Sequence, residues 1–540
     1  MKIKKLYNVF ISLILLLSAT SCTNWLDVEP ESQIILENYW KSETDVQSVL
    51  ASCYKSMTKD DVIYRMIVWG ELRSDNMTTG SGFASARYDM QKILNGDLTS
   101  DNDYASWGAF YTTINYCNTV LYYAPYVLKS DNNFTEDDLH RVQAEAKSVR
   151  ALAYFYLVRA FRDVPYITNP TIDDTQDFNQ PKTSGTVILD SLITDLKFAQ
   201  QYAIQEYGDK AKNKGRITRN AINALLADVY LWKSSDKDNI NKTEDLNKCI
   251  EACDLVLNGN EDNLVEGRIM YQQVFSLGNS SESIFELQFD DYQQKNNPVR
   301  TLYGNNNLNH GEIALPTTLG YNYLDGTAGP NSPFGYKVNS IIEGVKDLRA
   351  RDFIDVNEAR ASGKYYIFKY AGRLCTEITG LLNPLTYSWK SSTSNWIIYR
   401  LTDVMLMKAE ALAELDNSDE NKKALIYVNK VYTRCNIGYD SLKIENYASK
   451  AEVQQLVLRE RQRELMFEGK RWFDLVRLAK REGNVSSLNN YVNHKLSNTA
   501  STSTAQTLDA MYMPISKSEI EANPNLEQNP YYEETSTSIR

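Results

Sequence analysis

Three stretches of the chain combine flat aromatic faces with planar polar groups. WGELRSDNMTTG (69–80) offers Trp69, Arg73, Asp75 and Asn76. SARYDMQ (85–91) offers Arg87 and Tyr88, and NPLTYSWKSSTSNW (383–396) offers Tyr387, Trp389 and Trp396. An aromatic face packs against the apolar side of a sugar ring, while guanidinium, carboxylate and amide groups match its hydroxyls. These residues are the candidate ligand contacts. Asn76 and Asn395 are candidates for reading a peptide backbone should the ligand be a peptide. Trp69 and Trp396 fit a core position equally well. Trp389, flanked by Ser388, Lys390, Ser391 and Ser392, has little apolar company, and an exposed position is expected for it.

Covalent chemistry finds less support. There is no G-x-S-x-G, no H-E-x-x-H and no P-loop, and His140, His310 and His494 are scattered. Cys53, Cys117, Cys249, Cys253, Cys375 and Cys435 form no CxxC pair. Cys249 and Cys253 lie four apart on an expected helix, but no His is near them to complete a zinc site. No metal or cofactor is expected. The cysteines read as mostly buried thiols, with a disulfide left open. A glycosidase needs only two carboxylates about 5–10 Å apart. Among 69 acidic residues such a pair is always at hand, so the residues alone leave hydrolysis open. A net charge of −11 argues against nucleic acid or anionic lipid as the main partner. Tyrosine is abundant, 36 against 16 Phe, and suits a wet binding surface, although most such rings serve as core and surface filler.

The amino terminus has the form of an export signal. Lys2, Lys4 and Lys5 precede an apolar run from Val9 to Leu17 broken by Ser12. Ser18, Ala19, Thr20 and Ser21 lead to Cys22, a candidate lipid attachment site, although Ala19 stands where Leu is more usual. The run is too short to span a bilayer, which takes about 20 apolar residues. No later segment is apolar enough either, and mean hydropathy is −0.45. Lipidation at Cys22 would tether a soluble body to a membrane surface.

The elements that must position these residues are mainly helical. Val149, Leu152, Ala153, Tyr156 and Ala160 make one stripe of a helix over 144–161. A helix over 220–233 has Thr218 as its cap, and Ala221, Ala224 and Ala227 form a face that a second helix can approach closely. Further helices are expected over 247–257, 403–414, 421–434 and 453–481, the 403–414 helix apolar nearly all round. Residues 284–289 read as a strand. Asn-, Gly- and Pro-rich stretches at 303–311 and 325–336 mark a loop-rich segment, which often carries binding function. Arg150, set among apolar residues, is expected to pair with Glu410 or Asp228. In LRERQRELMFEGKRWFDLVR (458–477), Glu468–Arg471 and Asp474–Arg477 are spaced as i,i+3 ion pairs, a charged face that locks the helix onto its neighbours.

Taken in order, several segments resemble the RagB/SusD nutrient-uptake lipoproteins of the Bacteroidetes outer membrane. They are CTNWLDVEP (22–30), WGAFYTTINYCNTVL (107–121), AEAKSVRALAYFYLVRAFRDVPY (144–166), GRITRNAINALLADVYLW (215–232), ESIFELQF (282–289), YRLTDVMLMKAEALAE (399–414), LRERQRELMFEGKRWFDLVR and YMPISKSEIEANPNLEQNPYY (512–532). The resemblance implies a mostly α body of degenerate tetratricopeptide-like hairpins. It divides the chain into a signal (1–21), a lipidated leader (22–35), a helical scaffold (36–275), a loop-rich insertion with short strands (276–400), and helices packing back on the scaffold (401–540). It implies a non-enzymatic lid, lipid-anchored in the outer membrane and facing outward. Such a lid passes oligosaccharides, or in one branch peptides, to a SusC-like TonB-dependent transporter. The family often has Gly where this chain has Arg162. A left-handed turn there costs Arg on the order of 1 kcal/mol, so either the turn differs or the strain is tolerated. The helices before 275 and after 400 are expected to form one body from which 277–396 projects.

Overall fold

Apolar periodicity fixes most of the helices. The computed structural model describes residues 39–80, 87–173, 175–260, 263–290, 297–304, 311–355, 364–371, 373–377, 386–389, 393–415, 417–495 and 505–537; the signal, Cys22 and leader lie outside them. The main helices are α1 (Glu43–Met57), α2 (Asp60–Ile67), α3 (Tyr88–Leu94), α4 (Gly108–Val127), α5 (Glu136–Phe161), α6 (Gly185–Tyr202), α7 (Arg219–Ser234), α8 (Lys242–Leu257), α9 (Leu401–Glu414), α10 (Ser418–Cys435), α11 (Lys450–Leu465) and α12 (Arg471–Glu482). Successive members pack on each other: α4 on α5, α5 on α6, α7 on α8 and α9 on α10. The chain is thus mostly α, as expected. Thr218 caps α7, its hydroxyl accepting from the Ala221 amide at 3.3 Å. The small residues Ala221, Ala224 and Ala227 are buried, and α7 packs closely on α8. Every residue of α9 is buried, and α8, α10 and α11 all pack on it.

α5 starts with a capping box between Thr135 and Asp138 and ends at Arg162 with φ 69°. The strained turn is therefore kept without glycine. Its guanidinium is held by Asp163 at 3.0 Å and by Asp509. Arg150 pairs with Asp195 at 2.6 Å and with the Asn118 side chain at 2.8 Å, instead of Glu410 or Asp228. Asp228 serves Arg159 and the Tyr399 hydroxyl, and Glu410 serves Arg477 and Arg481.

The helix expected over 453–481 is two helices. It breaks at Phe467 (φ 69°) and Gly469 (φ 72°) because another segment occupies the break. Gly70, in the π-helical turn Val68–Leu72, approaches so closely that an added Cβ would lie 1.8 Å from the Gly469 carbonyl oxygen.

The strands are short. β1 (Thr78–Thr79), β3 (Ile313–Pro316), β6 (Ile354–Asp355) and β7 (Lys364–Ile367) form an antiparallel sheet in the order β1-β3-β7-β6. β2 (Ser283–Leu287) pairs with β10 (Trp396–Arg400), β4 (Tyr336–Val338) with β5 (Ile341–Glu343), and β8 (Arg373–Glu377) with β9 (Thr386–Trp389). The stretch 277–396 does not simply project. β1 comes from the amino-terminal half and pins β3, and Glu343, Asp347 and Arg349 run into the interior against α11.

α11 is the axis of a buried charge network. Among the described residues, six cations (Arg349, Lys369, Arg400, Arg434, Arg459, Arg463) interlock with six carboxylates (Glu282, Glu343, Asp347, Glu460, Glu464, Glu468). Glu464 alone meets Arg400 at 2.6 Å, Arg434 at 2.8 Å and Arg349 at 3.0 Å. Glu468 serves Arg400 and Lys369 rather than Arg471, whereas the Asp474–Arg477 pair forms at 2.7 Å. Burial works to raise the Glu464 carboxyl, but Arg400, Arg434 and Arg349 outweigh it and hold the carboxyl well below its ordinary value. Glu282 and Glu343 are lowered by their arginines in the same way. A depressed carboxyl stabilises the fold above its unfolded value and loses that contribution as pH falls through the folded value. Stability should therefore be flat above about pH 5 and fall below roughly pH 4. Urea melts at several pH values check this. Glu464→Gln should cost about 3–5 kcal/mol at pH 7 and flatten the acid limb, because three guanidinium groups lose their shared partner.

Candidate ligand-binding surface

The first aromatic cluster turns inward. Trp69 is 1% exposed; its indole N–H donates to the Tyr104 carbonyl at 2.8 Å, and its ring stacks on Phe110 and meets Phe161 edge-on. Asp75 holds Arg471 through two bonds of 2.8 and 2.9 Å, and the Gln462 amide donates to Asp75 at 3.0 Å and to Asn76 at 2.8 Å. Glu71 accepts from the Phe467 and Lys470 amides, both at 3.0 Å, and from the Asn76 side chain at 2.9 Å. A carboxylate beside the first amides of α12 is the charge that a helix amino terminus favours. This cluster clamps the α11–α12 break and is closed to ligand.

Arg73 is half-buried. It donates to the Met511 and Ala510 carbonyls, both at 2.6 Å, and lies 4.2 Å from the centre of the Trp472 ring. It anchors the carboxy-terminal segment. The cavity beside it, about 200 Å³, is below the ~300 Å³ at which small-ligand sites begin. Trp396 is 1% exposed against Tyr370, and Asn395 is bonded to the Phe289 amide, Glu286 and Gln288. Asn76 and Asn395 are both buried, so neither can read a peptide. Tyr387 and Trp389 take backbone positions in β9 opposite Cys375 and Arg373; their side chains lie outside the described structure.

What reaches solvent is the start of α3. Tyr88 is 61% exposed, with the Lys92 ammonium 4.8 Å from its ring centre. Arg87 beside it donates to Glu312 at 2.9 Å and to the Tyr64 hydroxyl at 3.0 Å, its guanidinium 4.8 Å over the Tyr64 ring. The Gly80 amide donates to the Glu312 carbonyl at 2.7 Å, so β1 and β3 hold this group in register. Burial lifts the Glu312 carboxyl above its ordinary value against the pull of Arg87, and pushes the nearby Tyr104 phenol up to about 12. The surface thus offers an exposed ring, protonated phenols and an Arg–Glu pair, groups whose chemistry suits stacking on and hydrogen bonding to a hydroxyl-rich ligand. Nothing in the sequence singled out Tyr64 or Glu312, which lie 23 and 225 residues from Arg87. Among the described residues, no group of three or more His, Cys, Asp or Glu is placed to hold a metal, and no helix is long and apolar enough to cross a membrane.

Residues 337–532 match the model of the SusD family, and residues 24–231 match the model described as starch-binding associating with outer membrane. The chain belongs to the SusD/RagB family. SusD-like protein P38 of Formosa agariphila is 24% identical over 556 residues, covering 98% of this chain and all of the relative. A SusD homologue from Bacteroides thetaiotaomicron superposes with TM-score 0.70 at 22% identity, over 92% of this chain and 100% of that one. A laminarin-binding SusD-like protein superposes with TM-score 0.64 at 20% identity, over 91% and 100%. These likenesses place the helical scaffold of this SusD-family chain among solved structures.

The two kinds of site residue separate by stability. Asp75→Asn leaves Arg471 buried and unpaired and should cost on the order of 3 kcal/mol. Tyr88→Ala, at an exposed ring, should stay within about 0.5 kcal/mol. Parallel denaturant titrations measure both.

Proposed function

We propose that the chain is a non-enzymatic glycan-capture lipoprotein, tethered through Cys22 to the outer membrane and facing outward. It hands oligosaccharide to a SusC-like TonB-dependent transporter. Membership of the SusD/RagB family carries this reading, supported by the exposed Tyr88 beside the Arg87–Glu312 pair and by the likeness to a laminarin-binding relative. Tyr88, Arg87 and the β8–β9 hairpin bearing Tyr387 and Trp389 make the contacts. Stacking on one ring contributes about 1–3 kcal/mol, or 10- to 100-fold in affinity.

Calorimetric titration of the chain from residue 23 onward against a panel of polysaccharides and peptide pools tests this. Binding of a glycan with no shortening of the sugar is expected, weakened 10- to 100-fold by Tyr88→Ala or Trp389→Ala. Binding of peptides alone would replace glycan by peptide as the cargo, and release of shorter sugars at a rate abolished by one carboxylate substitution would make the protein a hydrolase. Cys22→Ala should move the protein out of the membrane fraction and abolish palmitate labelling. A variant that stays membrane-bound, with no label in the parent, would end the lipoprotein reading.

A further inference from the structure

A cavity of about 590 Å³ lies where the end of α5, the start of α6, the end of α7, the 236–241 connection and α12 meet. Its size is within the ~300–1,000 Å³ of small-ligand sites, and none of its lining residues belongs to the Arg87–Tyr88 surface. Exposed Ile240 stands at its rim.

Most charges around it are already committed. Arg162 is held by Asp163 and Asp509, and Asp163 also accepts from the Gly185 amide at 2.9 Å at the start of α6. Lys233 pairs with Asp190 at 2.8 Å and lies 3.8 Å from Asp245. Asp236 accepts from the Asp238 amide at 3.1 Å, and Asp238 is exposed. Lys480 differs. Among the described residues its ammonium has neither a hydrogen bond nor an ion pair, and it lies 4.8 Å from the centre of the Trp232 ring.

The surroundings of Lys480 oppose its charge on balance. Burial acts first. Arg477 and Arg481 on its own helix add to it, and the Lys237 side chain lies against Gly483 three residues on. Asp236 and the Trp232 face act the other way. The net effect brings the amine down to about 8 from 10.5, so a substantial fraction is neutral near pH 8. A desolvated lysine beside other cations, its side chain lining a cavity, is the arrangement that forms imines with carbonyl compounds.

We propose that Lys480 is a covalent capture site for small polyhydroxy aldehydes, the open-chain form of a reducing sugar or a shorter fragment. The Nζ lone pair adds to the carbonyl carbon, and the carbonyl oxygen takes up a proton. The resulting carbinolamine loses water to leave an imine. One amine and one aldehyde give one imine and one water, with no oxidant or reductant. Asp236, Asn239, Ser184 and Tyr512 line the same cavity and supply partners for the aldehyde's hydroxyls.

Glyceraldehyde is the probe, with sodium cyanoborohydride added to trap the imine as a secondary amine. The intact chain is treated from pH 6.5 to 9.5, and peptide mass mapping reads each lysine. At pH 7.5 Lys480 should react at least about 10-fold faster than exposed Lys422 and Lys423. Its rate should level off above about pH 9 while theirs keep rising. Asp236→Asn, which removes the carboxylate that favours the ammonium, should move the midpoint down. Lys480→Arg should abolish the fast site and leave Lys422 and Lys423 unchanged. A Lys480 rate no greater than that of the exposed lysines, or one still rising at pH 9.5, overturns the proposal in the unsubstituted chain. An unmoved midpoint in Asp236→Asn overturns it as well.

Discussion

The buried charge network along α11 is the constraint on which the rest of the molecule depends. Taking charges out of water costs several kcal/mol each, and the cost is offset only when geometry and hydrogen bonds are complete. Here completeness requires segments from across the described chain. Glu282 precedes β2, Glu343 ends β5, Asp347 and Arg349 follow it, Arg400 ends β10 and Arg434 comes from α10. No fragment satisfies the network alone. The loop-rich region is therefore tied into the body through its charges as much as through its strands. Among the described residues the apolar core likewise runs as one cluster from Trp40 to Leu526.

A second set of charges acts at the α11–α12 break. Glu71 receives the amides at the start of α12, Asp75 neutralises Arg471, and Gly70 lets the backbone come into contact with Gly469. The 69–80 stretch thus serves the same end as the main network: it fixes where α12 points. Arg461, Asp403, Lys470, Asp474, Arg477 and Glu410 extend the pattern from that helix to α9. The interior carries order in its charges, and the exposed loops lie outside that constraint. Membership of a binding family fits that division, since a rigid scaffold with changeable loops suits capture of different molecules.

In the proposed function, the chemistry of capture falls to few described groups. Tyr88 keeps its ring in solvent because α3 begins there, and the Arg87–Glu312–Tyr64 set is held by β1 pairing with β3. Lys480 presents the opposite case, an amine beside a cavity that no ion pair claims among the described residues.

The sequence by itself determined the helices, because a helix buries one face of its own and 3.6-residue periodicity records which face that is. The stripe in α5, the Thr218 cap and the all-apolar α9 were legible for that reason, and the order of the segments identified the family. It also showed that 458–477 is a charged face that packs on neighbours. Only the tertiary structure decided the partners. Asp75 and Arg471 stand 396 residues apart, and no local pattern links them. The break at Phe467 arises from Gly70 pressing on Gly469, a contact absent from the helix's own sequence. Trp69, Asp75, Asn76 and Trp396 looked like ligand contacts because aromatic and polar groups in a turn suit a sugar and a helix clamp equally well. A turn has no period to say which side faces water. Arg87 and Tyr88 came out as surface residues, while Tyr64 and Glu312 became visible only once β1 and β3 brought them together.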